Sequence, residues 1–277
     1  MGKTIQSDTV LPYIPREHIS PIGNSDNYQI LDFSSSLASL HSAAEKNVLT
    51  KGQEALARTF LSYGGVAQFP GGIGLWYDNI FKGTISQVLY ARLQELAQEV
   101  ERQNIAIDCI LTSDYSGIAP SSILGFLLQK DVVRIRKKNH QDFIPTDDTF
   151  AVRIDSYTGN GGDVLTLEKT RFAATFHRLN ISHANVLFVD EILDTGTIIR
   201  SIHEISRQSL STHYPFSLTG AVFILEKTYT NAAKHIHDAM NIPTCSGLAI
   251  EDLGLLPSQW IKISGINEAL RFRQASF

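Results

Sequence analysis

The chain is expected to be an α/β protein, a Rossmann-like parallel sheet flanked by helices, and three observations lead there. Short apolar segments alternate along the sequence with segments whose apolar residues recur at helical spacing, the pattern of strand–helix–strand units with parallel pairing. Val186-Leu187-Phe188-Val189 is an unbroken apolar run, as a strand buried on both faces requires. After it, Ile198, Ile202 and Ile205 fall on one helical face, so a helix follows that strand directly.

The remaining elements follow in order. Thr84-Ile85-Ser86-Gln87 reads as a capping box, and Ile85, Val88, Leu89, Leu93, Leu96 and Val100 continue it as an amphipathic helix. Residues 105–111 read as a strand, 118–128 as a helix and 132–135 as a strand. Residues 149–154 and 164–167 read as a hairpin with Gly159-Asn160-Gly161-Gly162 in its loop. A strand at 219–225, a helix near 231–240 and a short strand near 246–250 complete the pattern. Residues 1–65 form an N-terminal extension, punctuated by Pro12, Pro15 and Pro21, with one or two helices expected within 37–60. A clasp, an oligomerisation arm and a lid all remain open for it. Tyr63-Gly64-Gly65 and Phe69-Pro70-Gly71-Gly72-Ile73-Gly74 read as loops that precede a core of 66–255, and residues 256–277 as a C-terminal tail packing on that core. No internal repeat is visible.

At 277 residues the chain can bury one large core with an appended piece. Its 43% hydrophobic and 19% charged residues are those of a soluble globular protein. A net charge of −4 and a pI near 6.1 argue against a nucleic-acid surface, without forbidding a local positive pocket. The longest apolar stretch, near 123–128, is too short for a membrane span, and Met1-Gly2-Lys3-Thr4 leads into polar sequence unlike a signal peptide. Gly2 lacks the hydroxyl residue that myristoylation wants, since Gln6 stands there. Cys109 and Cys245 sit in apolar contexts with no paired His, so an intracellular, disulfide-free protein without a catalytic cysteine is expected. The nine His residues are scattered and no residue is assigned as a direct metal ligand.

The chemistry concentrates after the apolar run. Asp190 and Glu191 end the strand, and Asp194-Thr195-Gly196-Thr197 turns into the helix. Unpaired N–H groups and the helix dipole at such a turn suit a phosphate. The two acids cannot serve the same phosphate and are placed to accept hydrogen bonds from vicinal sugar hydroxyls. Together they describe a phosphorylated sugar. A buried strand and tight turn with no ligand is the plain alternative.

Residues 186–197 resemble the ribose-phosphate loop of the type I phosphoribosyltransferases, enzymes that use 5-phosphoribosyl-1-pyrophosphate. Weaker motifs in the family's order, over about 69–251, point to its purine (adenine/xanthine-type) branch. The resemblance implies the family's fold with a small hood. It also implies Asp190 and Glu191 on the donor ribose, Asp194, Thr195, Gly196 and Thr197 at the 5-phosphate, and Asp194 as the catalytic group that manages the proton on the purine nitrogen. The loop holding Ser113, Tyr115, Ser116 and Gly117, with Arg134, Lys137 and Lys138 of the run Arg134-Ile135-Arg136-Lys137-Lys138, would meet the pyrophosphate. A plain helix N-cap and a solvated basic strand end are the alternatives. Glu226-Lys227-Thr228-Tyr229 resembles the xanthine-type Glu-Lys-x-Phe, where Lys227 would donate to an exocyclic oxygen and Tyr229 would stack on the base. Phe69-Pro70-Gly71-Gly72-Ile73 resembles the opening of the adenine-type core, and Ser156-Tyr157 would belong to a lid over the donor.

The implied reaction is transfer of ribose 5-phosphate to a purine or purine-like base with release of pyrophosphate. Magnesium (Mg2+), a cytoplasmic location, no nucleic-acid or membrane partner, and a homodimer come with it. There are departures. The adenine-type Arg before the loop glycine is Ser116 here, and the usual Thr-Gly-x-Thr or Thr-Gly-x-Ser reads Thr195-Gly196-Thr197-Ile198. Two alternatives therefore stand: a weakened paralogue that senses the donor or a nucleotide, and a transferase acting on a pyrimidine or specialised heterocycle.

Overall fold

The structure, a computed structural model, describes residues 28–29, 49–63, 65–69, 72–76, 86–114, 117–154, 162–252 and 262–263. The strand–helix alternation builds a six-stranded sheet in the order β12-β11-β10-β9-β4-β5. Its strands are β4 (Cys109–Thr112), β5 (Asp131–Arg134), β9 (Ala184–Leu193), β10 (Phe216–Lys227), β11 (Thr244–Asp252) and β12 (Lys262–Ile263). All pairings are parallel except that of β12, which runs antiparallel to β11 at one edge. From β4 the chain first moves outward through helix α3 (Ile118–Leu128) to β5. It then returns to the other side of β4, where β9 leads through α5 (Thr197–Ser209) to β10 and through α6 (Ala232–Met240) to β11. The strand order thus reverses between β4 and β9, and ligands of open α/β sheets bind outside the carboxyl ends at such a switch.

Both faces of the sheet are covered, because successive side chains of each strand point to opposite sides. Ile110, Leu187, Val189, Val222 and Ile224 join one core with Leu93 and Leu96 of α2 (Ser86–Arg102) and Leu56 of α1 (Lys51–Tyr63). Leu111, Val186, Phe188, Ala221 and Phe223 join the other, with Ile199, Ile202 and Ile205 of α5 and Ile236 of α6. Phe188 is fully buried and meets Phe223 edge-on at 5.9 Å between centroids. Burial of one such ring contributes about 2–3 kcal/mol.

Several boundaries differ from those expected. The strand expected at 105–111 begins only at Cys109, because the chain before it is still leaving α2: the Ile105 N–H bonds the Val100 carbonyl. The loops expected at 63–65 and 69–74 instead contribute Gly65, Phe69 and Gly72 to Gly74 to strands β2 (Gly65–Phe69) and β3 (Gly72–Trp76), an antiparallel pair onto which β1 (Tyr28–Gln29) adds. The basic run does not close one strand. β5 ends at Arg134, and β6 (Arg136–Asn139) belongs to a separate sheet of order β6-β8-β7, with β7 (Thr149–Ile154) and β8 (Asp163–Glu168) as the expected hairpin. Helix α4 (Lys169–Leu179) was not expected. Phe172 and Phe176, one turn apart, bury its face, and Asn180 ends it in the left-handed conformation at φ 51°.

Helix α1 lies before the expected core boundary at 66, yet Leu56 and Ala57 are fully buried in the core. Its start is a capping box: the Gln53 N–H donates to Thr50 Oγ1 and the Thr50 N–H to Gln53 Oε1, each at 3.1 Å. Among the described residues no helix is long and apolar enough to cross a membrane. Cys109 and Cys245 are free and buried, and burial pushes the Cys109 thiol up to about 12, far from a thiolate at neutral pH.

Candidate active site

Adjacent strands β4 and β9 each run into a helix, α3 and α5, whose N-cap is a glycine with no side-chain cap. Polar residues at both junctions lie at the carboxyl edge of the sheet, next to the point where strand order reverses. Uncapped first-turn N–H groups and the dipole make each junction a place for an anion.

The end of β9 carries Asp190, 5% exposed, with the next acid, Glu191, beside it. Burial pushes the Asp190 carboxyl well above the usual carboxylate range, and the Glu191 charge pushes the same way. Two donors act against this: Ser113 Oγ donates to Asp190 Oδ1 at 2.7 Å and the Glu191 N–H donates to it at 3.0 Å. Gly117 closes the third side. A Cβ there would stand 2.7 Å from Asp190 Oδ1 and 2.6 Å from Thr112 Oγ1, so only glycine lets α3 approach the acid this closely.

The turn after β9 leaves the first N–H groups of α5 without a side-chain cap. Gly196, at φ +73°, takes a conformation that side chains rarely adopt and starts α5. Thr195 and Thr197 hydroxyls lie 2.8 Å apart, and Arg200 Nη2 donates to Thr197 Oγ1 at 3.2 Å. Arg200 went unnoticed in the sequence, where it reads as an ordinary exposed helix residue.

Asp194 and Lys227 are brought together from neighbouring strand ends. Lys227 Nζ donates to Asp194 Oδ2 in an ion pair, and Lys227 is buried at 7% exposure while the Asp194 side chain is 35% exposed. Lys227 is thus not an ordinary exposed residue at a strand end. Glu226 and Lys227 are also the last residues of β10 rather than the residues after it. Tyr229 falls in the 3-10 turn Thr228–Thr230.

The basic residues are held by acids that the sequence did not single out. Arg134 Nε meets Asp114 Oδ1 at 3.0 Å, and the Lys137 N–H donates to Asp114 Oδ2 at 3.3 Å. Asp114 therefore ties the loop after β4 to the end of β5 and the start of β6. The Lys137 ammonium turns instead to Asp163 of β8, at 2.7 Å. Lys138 is exposed on β6, paired in register with Val164. Tyr115, Ser116, Ser156 and Tyr157 lie outside the described residues.

A cleft of about 750 Å³ lies elsewhere, at the amino end of β11, lined by Arg92, Glu95, Glu99, Arg102, Cys245 and Ser246 among others. It contains none of the residues above. Its walls are occupied with one another: Arg92 donates to the Gly247 and Ser246 carbonyls and pairs with Glu95 at 2.6 Å.

No protein-family model matches the chain. The chain is 27% identical over 168 residues to the xanthine phosphoribosyltransferase of Levilactobacillus brevis, covering 60% of this chain and 76% of that one. It is 26% identical over 168 residues to the enzyme of the same name from Oceanobacillus iheyensis, with coverage of 60% and 75%. Among solved structures, adenine phosphoribosyltransferase from Saccharomyces cerevisiae superposes with a TM-score of 0.51 at 19% identity over 72% of this chain and 100% of that one. The Rhodothermus marinus adenine phosphoribosyltransferase gives 0.51 at 18% identity, with coverage of 70% and 98%. The chain is thus similar in sequence to xanthine phosphoribosyltransferases and shares its fold with adenine phosphoribosyltransferases, both of the purine type.

Proposed function

We propose that the chain transfers the ribose 5-phosphate of 5-phosphoribosyl-1-pyrophosphate to an oxopurine, with release of pyrophosphate. The observation that carries this is the pair of glycine-started, uncapped helices on adjacent strands with Asp190 between them. One helix start takes a diphosphate and the other a monophosphate, while the acids take the sugar that joins them. In this reading Asp190 and Glu191 accept from the ribose hydroxyls. Thr195, Gly196, Thr197 and the backbone at Asp194 hold the 5-phosphate. Ser113, Tyr115, Ser116, Arg134, Lys137 and Lys138 face the pyrophosphate, and Ser156 and Tyr157 belong to the lid.

The bond from C1 to the pyrophosphate oxygen breaks, the leaving group taking the electron pair, and a ring nitrogen of the base forms the new bond to C1. The proton on the base passes to the Asp194 carboxylate. The Asp194–Lys227 ion pair suits this division of work. An oxopurine presents a carbonyl acceptor next to a ring N–H donor, the complement of an ammonium beside a carboxylate. Adenine offers an amino donor where the carbonyl would be, and Lys227 has only donors to give. Tyr229 stacks on the base. The xanthine phosphoribosyltransferases among the relatives agree with an oxopurine.

The hard oxygens of Asp190 and Glu191 fit a magnesium ion that arrives on the donor and keeps its waters. Bound there, magnesium would neutralise charge on the departing pyrophosphate. Among the described residues no group of three or more His, Cys, Asp or Glu is arranged to hold a metal. A cytoplasmic homodimer completes the reading.

The test is pyrophosphate release from the donor with magnesium, using xanthine, hypoxanthine, guanine, adenine and the pyrimidines in turn. Turnover with an oxopurine and little with adenine is expected. Turnover with a pyrimidine alone contradicts the acceptor. Donor binding without turnover on any base replaces the enzyme by a sensor.

A further inference from the structure

Thr230 lies in the turn after β10, apart from the donor acids and the basic run. Its hydroxyl oxygen stands 2.5 Å from the Asp194 carbonyl oxygen and 2.7 Å from the Lys227 carbonyl oxygen. A hydroxyl has one proton, so that proton is shared between the backbones of the two residues that also form the ion pair. The Ala232 N–H, at the start of α6, donates to the same oxygen at 3.4 Å. The Lys227 ammonium meanwhile holds the Asp194 carboxylate. Backbone and side chain of Asp194 are thus both gripped from the end of β10.

That grip matters because Asp194 sits where β9 has ended and α5 has not begun. An Asp carboxylate reaches only two bonds beyond its own Cα, so its place follows its backbone. A proton acceptor works within about 2.6–3.2 Å of the proton's atom, and a displacement near 1 Å removes it from reach.

We infer that Thr230 is a positioning residue for phosphoribosyl transfer, a clip that sets Asp194 against Lys227 so that one edge of the base meets both. The inference rests on the proposed function. The Thr230 hydroxyl meets the carbonyls of Asp194 and Lys227 and the Ala232 N–H, and not Asp190, Ser113 or Gly117 at the donor acids. The hydroxyl meets the Asp194 carbonyl and not the Asp194 N–H that would face the 5-phosphate, so its loss should slow the chemical step far more than it weakens donor binding.

Thr230→Val keeps the shape and removes the hydroxyl, and Thr230→Ser keeps the hydroxyl. Both are compared with the wild type in kcat for pyrophosphate release and in donor affinity by calorimetry. In Thr230→Val kcat is expected to fall on the order of tenfold to a hundredfold, with donor affinity within about twofold. Thr230→Ser should recover most of the rate, as a purely space-filling role would not require. Three results overturn the inference: an unimpaired Thr230→Val, equal losses of rate and donor affinity, or a serine no better than valine. An inactive wild type removes the proposed function and this inference with it, whereas an active wild type with an unimpaired Thr230→Val removes the inference alone.

Discussion

Replacing Gly117 by alanine adds one methyl group at the tightest point of the site. That methyl would stand 2.6 Å from Thr112 Oγ1, 2.7 Å from Asp190 Oδ1 and 3.3 Å from Ser113 Oγ. Ordinary contact begins at 3.4 Å, so the Asp190 oxygen must retreat by 3.4 − 2.7, about 0.7 Å. Thr112 is 1% exposed and Asp190 5%, so neither side chain has open space to move into. Overpacking of this kind costs about 1–3 kcal/mol, a fall of roughly 2–12 °C in Tm. The retreat also pulls Asp190 from Ser113, now 2.7 Å away, and from the position where a ribose hydroxyl would donate. Loss of one hydrogen bond to a charged group, about 1.5–3 kcal/mol, raises the donor KM roughly 10- to 150-fold. Gly125→Ala serves as the control, because its Cβ would stand 2.6 Å from Val132 Cγ2, between α3 and β5. It should lower Tm and leave donor affinity alone. Donor titration by calorimetry and a melting curve read both variants. Wild-type donor affinity in Gly117→Ala, or an equal loss in Gly125→Ala, refutes the reasoning.

Two further variants probe the charges. Asp190→Asn should abolish donor binding yet raise Tm at neutral pH. The raised pKa means that the fold disfavours the ionised carboxyl, so wild-type stability falls as pH rises from the ordinary carboxylate range through the folded pKa. The advantage of the Asn variant is then largest above the folded pKa and fades as pH falls below the ordinary value of 3.8, where the wild-type carboxyl holds its proton folded or unfolded; a constant advantage across that range contradicts the assignment. Lys227→Met should lower kcat/KM for an oxopurine roughly 10- to 150-fold, the worth of one hydrogen bond from a charged donor, and change any activity on adenine far less. Equal losses on both bases would show that Lys227 serves the loop and not the base.

What the sequence made legible was local. The run 186–197 carried strand, acids, turn and helix start within a dozen neighbours, so its local structure was readable without a partner segment. The Asp194–Lys227 pair spans β9 and β10, and the Asp114–Arg134 pair spans β4 and β5. Neither has a spacing signature, since parallel strands bring such residues together through a crossover of variable length. The basic run misled for a related reason: β5 and β6 are almost continuous in sequence but belong to different sheets. Glycines at 65, 72 and 74 made two strands read as loops, although β2 and β3 form an antiparallel pair. Two missed signals were present. Phe172 and Phe176 with Asn180 mark α4, and Thr50 with Gln53 marks the start of α1.

The most direct test of the account compares wild type with Asp194→Asn in kcat for pyrophosphate release on xanthine and in affinity for the donor. The account predicts that the wild type turns over and that Asn, unable to take the proton, loses on the order of a hundredfold or more in kcat while keeping donor affinity. A variant that keeps its rate contradicts Asp194 as the base, and a wild type that binds the donor and transfers nothing contradicts the enzyme.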